Sequence, residues 1–242
     1  MRFYKTNAIY DSLKGSNLYS WVSGDAWILV YGDYNSVPKL IAFVNASSWR
    51  VDNDILEKVG LISRATSIPS IRIEFDDTSN EINEVKLYNG SSFSTLSLDG
   101  LKDLFRRHGV PVSAALCTKA VNDATSSAYH NWQRASLGNI TVSDIDLIQL
   151  QDGKINSIIE LKRSKIDLLK WTPYRDDYPN FILLSNLCSL GSMRFIISYN
   201  LRTTTPKFFD DPSRIKMFFY DKKFELISTE YKTLDEFRRG CF

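Results

Sequence analysis

Apolar and polar residues along the chain fall into short blocks of two different periods. Residues 27–31 and 40–44 are short apolar runs separated by a turn-rich stretch with Gly32, Asp33, Asn35 and Pro38, and they predict two strands. Asp52-Asn53-Asp54 offers an N-cap, and Ile55, Leu56, Val59 and Leu61 behind it predict a helix. Residues 71–75 alternate apolar and polar, the pattern of a half-buried strand. Residues 85–88 resemble another, ending at the tight-turn pair Asn89-Gly90. Residues 98–105 predict a short helix stopped by Gly109 and Pro111. This first part reads as a small α+β unit without a catalytic motif. Its acidic residues Asp25, Asp33, Glu74, Asp76 and Asp77 have the character of surface-turn residues.

The second part has a different texture. Thr125-Ser126-Ser127 precedes an expected helix at 128–134, which Gly138-Asn139 ends. Residues 140–150 and 155–162 predict two strands, and Asp152-Gly153 between them is a strong hairpin signal. Residues 181–190 are apolar nearly all round, as in a buried helix. Residues 193–199 and 215–220 predict two more strands. The domain expectation is therefore an N-terminal α+β portion over 1–112, for recognition, partner binding or dimerisation, and a second domain over 113–242.

Composition adds bounds rather than a function. Hydrophobic residues at 43% and charged residues at 24% allow a real core and argue against wholesale disorder. A formal net charge of +2 gives no global basic field, so any nucleic-acid binding needs a local patch. Cys117, Cys188 and Cys241 are odd in number, far apart and without a CxxC pair, so neither a disulfide framework nor a zinc site is expected. No segment reads as a signal peptide, and the apolar helix is shorter than the ~20 residues needed to span a bilayer. The expectation is a cytoplasmic protein with no membrane partner.

Candidate chemistry concentrates on the predicted hairpin. With a period of two, Asp144, Asp146 and Ile148 share one strand face, and Ile158, Glu160 and Lys162 share a face of the next strand. Glu160 sits between Ile159 and Leu161, where a carboxylate is costly unless it is paired. Pairing the strands brings Asp146 towards Glu160, with Lys162 nearby. A divalent cation relieves the repulsion between two such carboxylates. A bound metal lowers the pKa of a water and stabilises phosphate charge, and the Lys162 ammonium could assist or position the attacking water.

Asp146-Leu147-Ile148, a turn, and then Ile158-Ile159-Glu160-Leu161-Lys162 resembles the core motif of the PD-(D/E)XK nuclease superfamily, with 14 positions from Asp to Glu. The resemblance spans roughly residues 117–200. It implies an α/β, restriction-endonuclease-like mixed β-sheet flanked by helices, with a smaller N-terminal α+β portion. It also implies a metal-dependent DNA endonuclease, related to restriction enzymes and Holliday-junction resolvases, that uses Mg²⁺ or Mn²⁺ and leaves 5′-phosphate ends. Asp146, Glu160 and the backbone carbonyl of Leu161 would ligate the metal, and Lys162 would be the catalytic lysine. Asp144 is the alternative or supporting aspartate. Family members often carry a glutamate on the helix before the hairpin. This chain has none there, so Gln133 takes the place in the expected site, with His130 and Asp123 as alternatives.

Nucleic-acid contacts are expected from Arg134, Arg163, Lys165 and His130, within or near a basic stretch that includes Lys170 and Arg175. Trp132, Trp171, Tyr174 and Tyr178 either stack on bases or fill the core, with core filling favoured. A homodimer would present a site to each DNA strand. The rival expectations are a catalytically degenerate, nucleic-acid-binding nuclease fold, and a protein-interaction module in a defence system.

Overall fold

The structure, a computed structural model, describes residues 7–114 and 127–242. It is mixed α/β and divides into two compact units. Of the described residues, the first comprises 22–114 and 127–144, and the second comprises 7–21 with 145–242. The division thus falls at 144/145, whereas the sequence pattern predicts 112/113, and a segment near the N-terminus contributes to the second unit. Cys117 and Asp123 lie outside the described residues.

The first unit holds a six-stranded sheet. Its strands are β2 (Ala26–Gly32), β3 (Pro38–Ala46), β4 (Ser70–Phe75), β5 (Glu84–Tyr88), β6 (Phe93–Ser97) and β7 (Thr141–Asp144), in the order β6-β5-β4-β3-β2-β7. Only β3 and β4 pair in parallel, and helix α2 (Asn53–Thr66) connects them, as a parallel crossover requires. Asp52 caps α2 by accepting from Asp54 N–H at 2.9 Å, so the predicted N-cap is the real one. Helices α3 (Leu98–Arg107) and α4 (Ala128–Ser136) supply Leu101, Phe105, Tyr129 and Trp132 to a core with Leu29, Tyr31, Leu40 and Val44. Trp132 is therefore core filling.

The second unit holds another six-stranded sheet. Its strands are β1 (Tyr19–Ser20), β8 (Leu147–Gln151), β9 (Lys154–Ser164), β10 (Arg194–Thr203), β11 (Phe209–Tyr220) and β12 (Leu226–Thr233), in that spatial order. Gln151 pairs with Lys154, leaving a two-residue loop in which Asp152 and Gly153 both have positive φ, 50° and 71°. That geometry closes hairpins tightly, and it is why Asp-Gly is a readable signal. Helix α5 (Tyr178–Leu190) links β9 to β10, which run parallel, while the remaining neighbours are antiparallel. One sheet face packs Leu147, Ile159, Ile196, Ile215 and Met217 against α1 (Ala8–Leu13) and α6 (Leu234–Arg238). The other face receives α5, whose Phe181 ring lies 6.4 Å from that of Phe195.

Two expectations need correction. The single strand over 140–150 is two strands in different sheets: β7 ends at Asp144, paired opposite Leu29, and β8 begins at Leu147, paired opposite Ile159. The apolar positions change phase there, from Ile140 and Val142 to Ile145 and Leu147, which is the only trace the handover leaves in the sequence. The helix before the hairpin, α4, belongs to the first unit, and its apolar face is committed to that core. The helices flanking the second sheet are α5 and two short terminal ones, α1 and α6. Among the described residues, no helix is long and apolar enough to cross a membrane.

Candidate active site

Asp146 stands one residue before β8, where the β8–β9 ladder opens beyond the Leu147–Ile159 pair. The next rung would set Asp146 opposite Glu160. There the Asp146 Oδ2 accepts a hydrogen bond from the Leu161 backbone N–H at 2.9 Å. Tyr10 of α1 donates its hydroxyl to the Asp146 carbonyl at 3.2 Å and lies 3.5 Å from Oδ1. The aspartate is thus held at both its main chain and its carboxylate, by a strand and by a helix from the other end of the unit.

Glu160 lies mid-strand in β9 with its side chain only 7% exposed. Burial at such a place demands a partner, and Lys162 Nζ provides one 3.0 Å from Oε1. Alternation puts both residues on the α5 face of the sheet, while Leu161 between them packs on the opposite core. Lys162 Nζ also lies 5.2 Å from the centroid of the Phe181 ring and 3.8 Å from Asp177 Oδ2, at the start of α5. Burial lowers the pKa of Lys162. Glu160, and after it Asp146 and Asp177, more than offset that, so the value is raised above that of an ordinary lysine. Lys162 is therefore a fixed ammonium among three carboxylates.

Arg163, on the other face of β9, lies 3.9 Å from Asp210 Oδ2. Asp210 is gripped by Arg202 at 2.6 and 3.1 Å. Burial and then the neighbouring Arg202 press the Arg163 pKa down, and Asp210 and Asp146 oppose them. Lys165 is exposed, just past the end of β9.

The structure gathers Asp146, Glu160, Leu161 and Lys162 in the second unit. Gln133, His130 and Arg134 sit on α4 of the first unit. Gln133 is buried, and its Oε1 accepts from the Tyr31 hydroxyl at 2.6 Å, itself 2.9 Å from the Tyr129 hydroxyl. Its acceptor serves a buried network of the first core, which a buried amide needs. His130 Nδ1 pairs with the helix-capping Ser127 hydroxyl at 2.7 Å, and its ring meets Trp27 edge-on at 4.6 Å, a structural setting. Arg134 lies in the last turn of the same helix. Asp144 pairs within the first unit's sheet.

Sequence reasoning missed Tyr10 and Asp177. Tyr10 is 136 positions from its partner, and no local pattern announces such a contact. Asp177 has only the Asp-Tyr-Pro start of α5 as a local signal, and that marks a helix entry and not a site. Among the described residues, no group of three or more His, Cys, Asp or Glu side chains is arranged to hold a metal ion. No protein-family model matches the chain, and no curated protein matches it significantly.

Proposed function

We propose that the second unit is a metal-dependent phosphodiesterase acting on DNA, in the manner of the PD-(D/E)XK nucleases that the hairpin motif resembles. The observation that carries this reading is the convergence of Asp146 and Glu160 on the Lys162 ammonium at an opened end of a strand ladder. The order β8, β9, α5, β10 supports it for the hairpin, the helix after it and the following strand; the helix that the resemblance also expects before the hairpin, α4, belongs to the first unit.

The donor set fits the implied metal. Two carboxylates are hard oxygen ligands, and Mg²⁺ commonly takes only one or two from protein, with water and substrate oxygen for the rest. Asp146 and Glu160 would hold the ion, with the Leu161 carbonyl as a further ligand. When bound, Mg²⁺ supplies Lewis-acid charge and acidifies a water. The protein's own contribution is positional. The Leu161 N–H and the Tyr10 hydroxyl orient Asp146, while Glu160 aims Lys162. A raised pKa keeps Lys162 protonated at neutral pH, which suits it to stabilise negative charge on the phosphate and not to abstract a proton.

Plasmid cleavage with Mg²⁺, with Mn²⁺ and with EDTA tests the reading. Glu160→Ala and Lys162→Ala are expected to lose at least about a hundredfold in rate, the usual scale for removing a group that stabilises transition-state charge. Variants as active as the wild type would refute the roles assigned to Glu160 and Lys162.

A second reading, a degenerate nuclease fold that binds nucleic acid without cutting it, is favoured by one observation. The described residues offer no third ligating side chain grouped with Asp146 and Glu160. Retained DNA binding without metal-dependent cleavage would select it.

A further inference from the structure

Asp177 occupies the N-cap position of α5, where an aspartate ordinarily accepts from the first N–H groups of its helix. Here it makes no capping hydrogen bond, and its Oδ2 lies 3.8 Å from Lys162 Nζ instead. The residue is firmly placed. Its N–H donates to the Tyr174 carbonyl at 3.1 Å. The segment leading to it is fixed by the Trp171 indole, which stacks on the Tyr199 ring at 4.2 Å. Lys216 adds to that hold by donating to the carbonyls of Leu169 at 3.0 Å and Trp171 at 2.8 Å.

Lys162 thus stands between two carboxylates in unlike positions. Glu160 Oε1 is 3.0 Å away, a hydrogen-bonded ion pair, whereas Asp177 lies beyond hydrogen-bond reach but within ion-pair reach. The Glu160 side chain is 7% exposed and that of Asp177 28%, so Asp177 marks the side nearer to water. The buried Phe181 ring lies 5.2 Å from the ammonium and gives it an attractive surface that a small displacement does not forfeit. A lysine has a flexible four-carbon stem, and a shift on the order of 1 Å exchanges one carboxylate for the other.

The exchange matters because Glu160 has two competing duties in the proposed site. A divalent ion on its carboxylate repels an ammonium held 3.0 Å from the same group. The displaced ammonium is partly buried and needs another anion. Resting on the metal-site reading above, we propose that Asp177 is the positioning residue that receives Lys162 when Glu160 turns to the metal. Asp177 touches neither metal nor phosphate in this arrangement. It lowers the cost of loading the site and keeps the ammonium beside it.

The test is calorimetric titration of Mn²⁺ into the full chain, without substrate, as a double-mutant cycle. Asp177→Asn is expected to weaken Mn²⁺ binding by roughly tenfold, within the coupling range of contacting residues, and Asp177→Glu to restore most of it. Lys162→Met removes the competing ammonium and is expected to bind Mn²⁺ at least as tightly as the wild type. Adding Asp177→Asn to Lys162→Met is then expected to change the affinity by less than about twofold. Asp177 is partly exposed and makes no cap bond, so its replacement leaves α5 intact, which thermal melts check. Equal weakening by Asp177→Asn in both backgrounds would show that Asp177 acts on the ion directly. No weakening in the wild-type background would show that Lys162 needs no second partner. Either result overturns the inference and leaves the metal site standing. A wild type that takes up no Mn²⁺ overturns the inference together with the phosphodiesterase reading on which it rests.

Discussion

Lys162 shows how one residue can connect stability with chemistry. Its pKa is raised in the folded protein by Glu160, Asp146 and Asp177 acting against burial. A raised lysine contributes stability that is complete below its unfolded value of about 10.4 and is lost only as pH climbs through the higher folded value. Lys162→Met is therefore expected to destabilise by about 1–3 kcal/mol, the range for stranding a buried polar partner. Glu160 is buried, but Lys162 is partly exposed, so the cost stays below that of breaking a fully buried pair. Denaturant melts of both proteins should give the same difference at every pH from 6 to 9. A difference that shrinks steadily over that interval would mean that Lys162 titrates there. At this scale the sequence is informative about Glu160 and Lys162, because a charge alternating with isoleucines on a core strand needs an explanation. It says nothing of Tyr10 or of Gln133's commitment to Tyr31, since both depend on contacts remote in sequence.

Among the elements, the hairpin is legible in the sequence and the terminal pieces are not. Asp152-Gly153 takes positive φ at both positions, and apolar runs stand on either side of it. By contrast β1 has two residues, and α1 and α6 have six and five, all too short for a periodic pattern to declare itself. Yet α1 and β1 bury Ile9, Tyr10, Leu13 and Tyr19 in the second unit's core. At roughly 1.5–3 kcal/mol each, these four side chains contribute on the same scale as the whole net stability of a domain. A chain lacking residues 1–21 is thus expected to lose the cooperative melt of the second unit, and Tyr10's hold on Asp146 with it. Calorimetry checks this: a truncated chain that still shows two transitions at wild-type temperatures would contradict it.

The whole molecule is two α/β units with a chain that passes from the second to the first near Trp21 and back at Asp144–Ile145. That interleaving explains why the sequence pattern suggests a linear boundary near residue 112. Texture along the sequence changes there, whereas membership of a core depends on which sheet a strand joins. It also explains the misplaced helix: α4 precedes the hairpin in sequence but builds the first core. The functional account needs only the second unit, and its central claim is that Asp146 and Glu160 jointly hold a divalent cation beside Lys162. Calorimetric titration of Mn²⁺ into the wild type, Asp146→Asn and Glu160→Gln tests this without recourse to any substrate. The account predicts saturable binding by the wild type that is lost in both variants while their folds persist. A wild type that takes up no Mn²⁺, or variants that bind it as well, would contradict it.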